Sequence, residues 1–223
     1  MVAKGTILEL EILHQTERYC VINKPSGYVV HNTPGAEDAP VVLQTLRDQL
    51  NKRIYPVHRI DRSTSGCLIM AFDPEMTSFL QRSLADAGSL KIYTLLCRGH
   101  FDAKEGRFDR PLGDEKGEKK EALTTYEVIQ EFEEYSLVQA RLHTGRKHQI
   151  RRHFAFERHQ LVGDVNHGKG WLNRRFREVH DLHRLFLHCS MIRIRCPIEG
   201  KPVTIKCELP QELQEVLSRL LPE

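Results

Sequence analysis

Apolar positions recur along this chain in short runs, and their spacing predicts a sheet-rich protein with a few amphipathic helices. Residues 7–13 read Ile-Leu-Glu-Leu-Glu-Ile-Leu, an alternation that suits a strand, and Tyr19–Ile22 gives a second strand ending at the turn signal Asn23-Lys24-Pro25-Ser26-Gly27. Residues 34–40, bounded by prolines, read as a loop. Val42, Leu43, Leu46 and Leu50 then fall at helical spacing within 41–50. The unbroken apolar run 67–72 predicts a buried strand, and Met76, Phe79, Leu80 and Leu84 predict a helix over 76–87. Residues 91–96 form another strand, whose alternation sets Lys91 and Tyr93 on one face and Ile92 on the other.

Charge and glycine without apolar residues make 102–121 a loop excursion. The segments 122–132 and 135–143 predict a β-hairpin turning at Glu133-Glu134. Thr144-Gly145 can start a helix, in which Ile150 and Phe154 share a face one turn apart. A strand over 191–195 follows Leu187-His188, Lys201-Pro202 lies in a turn region, and an amphipathic helix over 210–221 closes the chain. Nothing repeats, and no tract is of low complexity.

Composition narrows the class. The 223 residues are 40% hydrophobic and 28% charged, an ordinary soluble globular balance with room for a sizeable core. No apolar run approaches the roughly 20 residues needed to span a bilayer. Glu9 and Glu11 interrupt the N-terminal apolar stretch, unlike a secretory leader. Six cysteines (Cys20, Cys67, Cys97, Cys189, Cys196 and Cys207) are scattered without a CxxC pair, which suits reduced core thiols in the cytoplasm rather than a disulfide framework or zinc site.

Charge is uneven. The formal net charge is +3, but residues 141–195 hold 13 Lys and Arg against 4 Asp and Glu, a local +9, together with eight of the twelve histidines. A solvated charged face explains such a run; a polyanionic partner explains its confinement to one part of the chain, since phosphate contacts dominate nucleic-acid affinity.

The most informative stretch is His58-Arg59-Ile60-Asp61-Arg62-Ser63-Thr64-Ser65-Gly66. One carboxylate stands between two arginines, ahead of three small hydroxyl residues and a glycine. The hydroxyl residues can populate a plain turn, with Asp61 paired to an arginine for little net stability. Alternatively, the cations keep a partly desolvated Asp61 ionised, as a carboxylate nucleophile requires. A second signature is Thr144-Gly145-Arg146-Lys147-His148-Gln149-Ile150-Arg151-Arg152-His153.

The first string resembles the catalytic motif of the RluA-type pseudouridine synthases, HRLD followed by TSG, with HRID here. The second resembles the family's TGRxHQ(L/I)R motif. Asn23–Gly27 is similar to its first motif, Lys91 and Tyr93 to its Lys-x-Tyr, and Gly163-Asp164 with His167-Gly168 to the GDxxHG of the branch that modifies tRNA as pseudouridine synthase C. The likeness recurs in order along almost the whole chain. It implies an α+β fold with a mixed, mostly antiparallel sheet, flanking helices and a central active-site cleft, formed by residues 1–223 as one bipartite catalytic domain without an appended RNA-binding module. It also implies isomerisation of a uridine in RNA, of tRNA in this branch and ribosomal RNA in neighbouring ones. The active-site set would be Asp61, Tyr93 and Arg151, with Arg151 pairing the aspartate. Arg59 would enter the space of a flipped base, and Arg62, Arg146, Lys147 and Arg152 would join it as RNA contacts. No cofactor, metal, membrane or obligatory protein partner is expected.

Rival chemistries fit less well. His143, His148 and His153 are spaced by five and His180 and His183 by three, not the i, i+4 pairing of metal helices. HRID lacks the accompanying DFG and glycine-rich loop of kinases, and no GxSxG is present. A non-catalytic RNA-binding module explains the basic segment but leaves Asp61, Tyr93 and Arg151 as coincidence.

Overall fold

The computed structural model describes residues 9–32, 34–195 and 200–220. In chain order its elements are β1 (Glu11–Gln15), β2 (Tyr19–Lys24), α1 (Val42–Leu50), β3 (Tyr55–Pro56), β4 (Ser65–Ala71), α2 (Pro74–Ala85), β5 (Leu90–Arg98), β6 (Glu105–Phe108), β7 (Leu112–Gly113), β8 (Lys119–Lys120), β9 (Thr124–Glu131), β10 (Tyr135–Leu142), α3 (Gln149–Phe156), α4 (Gly170–His180), β11 (Leu187–Arg195), β12 (Pro202–Lys206) and α5 (Gln211–Ser218). The class is α+β, as expected, and antiparallel ladders dominate the sheet. The chain divides into two compact units, Met1–Ser89 with Arg193–Cys207, and Leu90–Ile192 with Glu208–Glu223.

In the first unit β2 lies between β1 and β4, and β3 also pairs with β4. Every residue of β4 and the first four of β2 are buried, which is why both read as continuous apolar runs rather than alternating ones. Val42 and Leu46 of α1 pack with Cys20, Ile22, Leu68 and Met70. Helix α2 begins two residues ahead of its apolar pattern because Asp73 caps it, accepting the Met76 N–H at 2.8 Å, with Pro74 at the first helical position. Arg18 forks onto the same carboxylate with two 2.9 Å bonds, and this holds the Asp73 carboxyl down to about 2. The first strand begins at Glu11 and bulges between Ile12 and His14; residues 7 and 8 of the expected strand lie outside the described residues.

In the second unit β5 runs between β11 and β10, followed by β9 and β6. The β9–β10 hairpin turns where predicted, with an irregular register between Leu137 and Val138. Leu213 and Val216 of α5 share a core with Leu172 and Phe176 of α4 and with Leu96, Val162 and Phe186.

Two expectations fail in this unit, and one helix was not foreseen. Residues 102–121 are not a plain loop: β6 pairs with β9 at the sheet edge, and β7 with β8 forms a small hairpin. An edge strand this short needs few apolar residues. The Tyr126 ring lies over its Gly106, where a Cβ would come within 2.5 Å of the hydroxyl, so any larger residue would displace that ring. The third helix does not start at Thr144-Gly145. The Thr144 hydroxyl instead accepts the Leu123 N–H and donates to Gln149, and the helix starts after His148 in the left-handed conformation, φ 52°. Ile150 and Phe154 are nonetheless both buried on its inner face. Helix α4, with Leu172, Phe176 and His180 buried at i, i+4 and i+8, was hidden among basic residues and was not anticipated.

Cys20, Cys67, Cys97, Cys189 and Cys207 are buried and form no disulfide among the described residues, and Cys196 lies outside them. Burial pushes the Cys20 thiol up to about 12 and Cys97 higher still. No helix among the described residues is long and apolar enough to cross a membrane.

Candidate active site

Asp61 sits half-buried on the loop between β3 and β4, in the first unit. The loop is held from within and from one side. Its own turn closes through the Thr64 N–H, which donates to the Asp61 carbonyl at 3.0 Å. The neighbouring Asn23–Gly27 segment is a clamp as well as a turn. Gly27, at φ +91°, donates its N–H to the Arg62 carbonyl at 2.8 Å, and the Arg62 Nε returns a bond to the Gly27 carbonyl at 3.2 Å. Ser26 donates its hydroxyl to the Ser63 carbonyl at 2.9 Å.

Lys24 is fully buried, and its ammonium donates to the carbonyls of Pro25 (2.8 Å), Tyr28 (2.8 Å) and Arg62 (3.3 Å). A buried cation must be satisfied, and here the satisfaction binds the turn to the aspartate loop. The Ile69 N–H of β4 donates to His58 Nε2 at 3.1 Å, which fixes the other end of the motif. Arg59 differs from its neighbours: it is exposed, with no hydrogen-bond or ion-pair partner among the described residues.

The second unit carries Tyr93 and Arg151. Tyr93 is buried on β5 opposite Ala140 of β10. Burial holds the ammonium of Lys91, on the same strand, below its ordinary value. Arg151, on the inner face of α3, makes a two-pronged ion pair with Asp164: Nε to Oδ2 at 2.8 Å and Nη2 to Oδ1 at 2.7 Å. Their side chains are only 5% and 1% exposed. Burial drives the Asp164 carboxyl upward, but the bonds from Arg151 and the backbone N–H groups of His167 and Asn166 outweigh it and leave it below the usual carboxylate range.

The remaining polar residues of the basic motif hold structure together. Gln149 uses its whole amide: Oε1 accepts from Thr144 and the Arg146 N–H, and Nε2 donates to the Leu123 carbonyl and Thr124 hydroxyl. Thr124 in turn bonds His153 Nδ1 at 3.0 Å, and His153 Nε2 reaches the Arg110 carbonyl at 2.9 Å. His148 Nδ1 and His167 Nε2 share a hydrogen bond of 3.0 Å. Arg146, Lys147 and Arg152, expected at RNA, all reach the 110–121 segment. Arg146 donates to the Glu121 carbonyl, Lys147 pairs with Glu115, and Arg152 donates to the Gly113 carbonyl.

Sequence reasoning singled out the motif containing Asp164 without assigning that residue a task. The available signal was a lone carboxylate between two glycines in a segment of +9. Lys24 was seen only as part of a turn.

Comparison with known proteins adds to this geometry. A family model described as RNA pseudouridylate synthase matches residues 18–156. The tRNA pseudouridine synthase C of Vibrio parahaemolyticus is 34% identical, covering 95% of this chain and 95% of its own. The enzyme of the same name from Vibrio vulnificus is 35% identical over 94% and 95%. Among solved structures, human RNA pseudouridylate synthase domain containing 4 superposes with a TM-score of 0.77 at 25% identity, covering 94% of this chain and 92% of that one.

Proposed function

The chain belongs to the RNA pseudouridylate synthase family, isomerases that convert uridine in RNA to pseudouridine, and from that premise we propose that its substrate is a tRNA, at a uridine of the TΨC arm, with Asp61 as the reacting carboxylate. The relatives named for tRNA, similar over nearly their whole length, support the choice of RNA. The observation that carries the choice of residue is the clamped loop. Lys24, Ser26 and Gly27 hold the backbone at Arg62 and Ser63 next to Asp61, as preorganisation of a reacting group demands.

The reaction breaks the N1–C1′ glycosidic bond and forms a C5–C1′ bond. Asp61 either attacks ribose C1′ or assists departure of uracil through a glycal-like species. The freed base rotates, C5 rebonds to C1′, the C5 proton is lost and N1 gains one, so substrate and product are isomers. Tyr93 packs on the uracil, and its hydroxyl is the acceptor for the C5 proton. Arg151 is the cation that keeps Asp61 ionised while bound RNA excludes water.

A uridine inside a helix reaches Asp61 only when flipped, at a cost of a few kcal/mol. Arg59 takes the vacated place: its planar guanidinium stacks on bases, and it has no partner to give up among the described residues. Arg62, Arg146, Lys147 and Arg152 hold phosphates and fix register without reading bases. The Lys147–Glu115 pair, exposed on both sides, yields to a phosphate at small cost. The work is done in the cytoplasm, where tRNA matures.

Pseudouridine mapping of total RNA from cells with and without this gene tests the assignment. Loss of one tRNA site is the expected result. Loss confined to ribosomal RNA overturns the substrate and leaves the chemistry.

A further inference from the structure

Asp164 has no part in the chemistry above, yet its carboxylate is densely bonded. Oδ2 accepts Arg151 Nε; Oδ1 accepts Arg151 Nη2 and the backbone N–H groups of Asn166 at 2.9 Å and His167 at 3.0 Å. That makes four hydrogen bonds to one carboxylate, three of them on Oδ1.

The turn that carries it is fixed as tightly. Gly163 stands at φ +76°, and a Cβ there would lie 1.9 Å from the Arg184 carbonyl oxygen. A Cβ on Gly168 would lie 2.1 Å from the Asp164 carbonyl oxygen. From α4, Asn173 accepts the Gly163 N–H at 3.0 Å and donates to the Asp164 carbonyl at 2.8 Å, bracketing the 163–164 peptide with one amide.

Stability alone does not account for such construction. Apolar residues of similar volume often replace a buried ion pair without loss. What a carboxylate supplies and they do not is direction: a side-on fork fixes the guanidinium plane and turns the Nη1 edge away from the fork.

We propose that Asp164 is a positioning residue for the isomerisation: it locks the plane of the Arg151 guanidinium and so holds Arg151 for the role given to it above. The Gly163-Asp164 turn and Asn173 are the pedestal for that lock. This rests on Arg151 serving Asp61, as proposed above. The family's GDxxHG likeness thereby acquires a physical content, with one residue for the fork and two glycines for close approach.

The test compares Asp164→Asn, Asn173→Ala and Arg151→Ala with wild type. Single-turnover tritium release from C5-labelled tRNA is measured at saturating enzyme, below the melting temperature of every variant, with tRNA affinity measured in parallel. Asparagine keeps an acceptor for the backbone N–H groups but places an amide against Arg151. We expect its rate per folded molecule to fall about 100-fold, the scale on which small misplacements act, with tRNA affinity nearly unchanged. Asn173→Ala leaves the carboxylate intact and is expected to lose about tenfold, the lower end of what orienting partners contribute elsewhere.

If Arg151→Ala is defective while both other variants, folded, react at the wild-type rate, the positioning role is overturned and Arg151's own role stands. If Arg151→Ala reacts normally at saturation, the underlying assignment of Arg151 fails instead. Should Asp164→Asn not fold, Asn173→Ala decides alone: a wild-type rate overturns the proposal, and a slower rate with unchanged affinity supports it.

Discussion

Arg151 and Lys147 lie four residues apart in one basic motif and carry the same charge, yet burial gives them different work. Arg151 is 5% exposed and forked onto a carboxylate that is 1% exposed, whereas the Lys147–Glu115 pair is 59% and 81% exposed. Removing one partner of a buried pair strands the other charge, so Arg151→Ala should cost about 3–5 kcal/mol of folding stability. Breaking an exposed pair removes little, so Lys147→Ala should cost about 0–1 kcal/mol. Urea denaturation of both variants measures this, provided the slope of unfolding free energy on denaturant is unchanged. Equal losses would contradict the contrast. The nine residues around Asp61 were legible because motif chemistry is local. The Asp164 fork and the three carbonyls around Lys24 were not, because a sequence shows neighbours along the chain and these partners are neighbours in space.

The element scale repeats that division. Buried strands β2 and β4 and helices α1 and α2 announced themselves by apolar spacing. Strand β6 did not, because charge and glycine look alike in an edge strand and a loop, and the Tyr126 ring that covers Gly106 is invisible in one dimension. The start of α3 was misplaced because Thr144 has the chemistry of a cap and spends it on Leu123 and Gln149. His153 joins α3 to the first residue of β9 and to Arg110, and its bonds define its protonation. The Arg110 carbonyl can only accept, so Nε2 carries the proton, and Nδ1 accepts from the Thr124 hydroxyl. Burial, only partly offset by the Arg110 carbonyl, holds the imidazole below its ordinary value, as burial also does for His143 and His180. A histidine with a lowered folded pKa binds more protons unfolded. Its contribution is therefore present above about pH 6.5, the unfolded value, and is lost as pH falls through the folded value. Denaturation at pH 8, 7, 6 and 5 should show stability declining below neutrality, and more shallowly in His153→Gln. Parallel curves for the two proteins would contradict this.

At the scale of the whole molecule, the charge asymmetry of residues 141–195 overstates the surface offered to RNA. Arg151 is buried against Asp164, and Arg184, its side chain only 10% exposed, is paired with Glu212. Arg146 and Lys147 of that segment are exposed, as are Arg59 and Arg62 outside it, and on the proposed function these are the cations that meet phosphates and the flipped base. On the proposed function, binding and chemistry fall to separate residues: many cations for affinity, one carboxylate for bond exchange. Tritium release from C5-labelled tRNA by wild type and Asp61→Asn, with tRNA affinity measured on the same preparations, tests that division most directly. Wild type should release the label, and Asp61→Asn should release none above background while binding tRNA within about threefold of wild type, since phosphate contacts carry the affinity. Substantial release by Asp61→Asn would contradict the central claim.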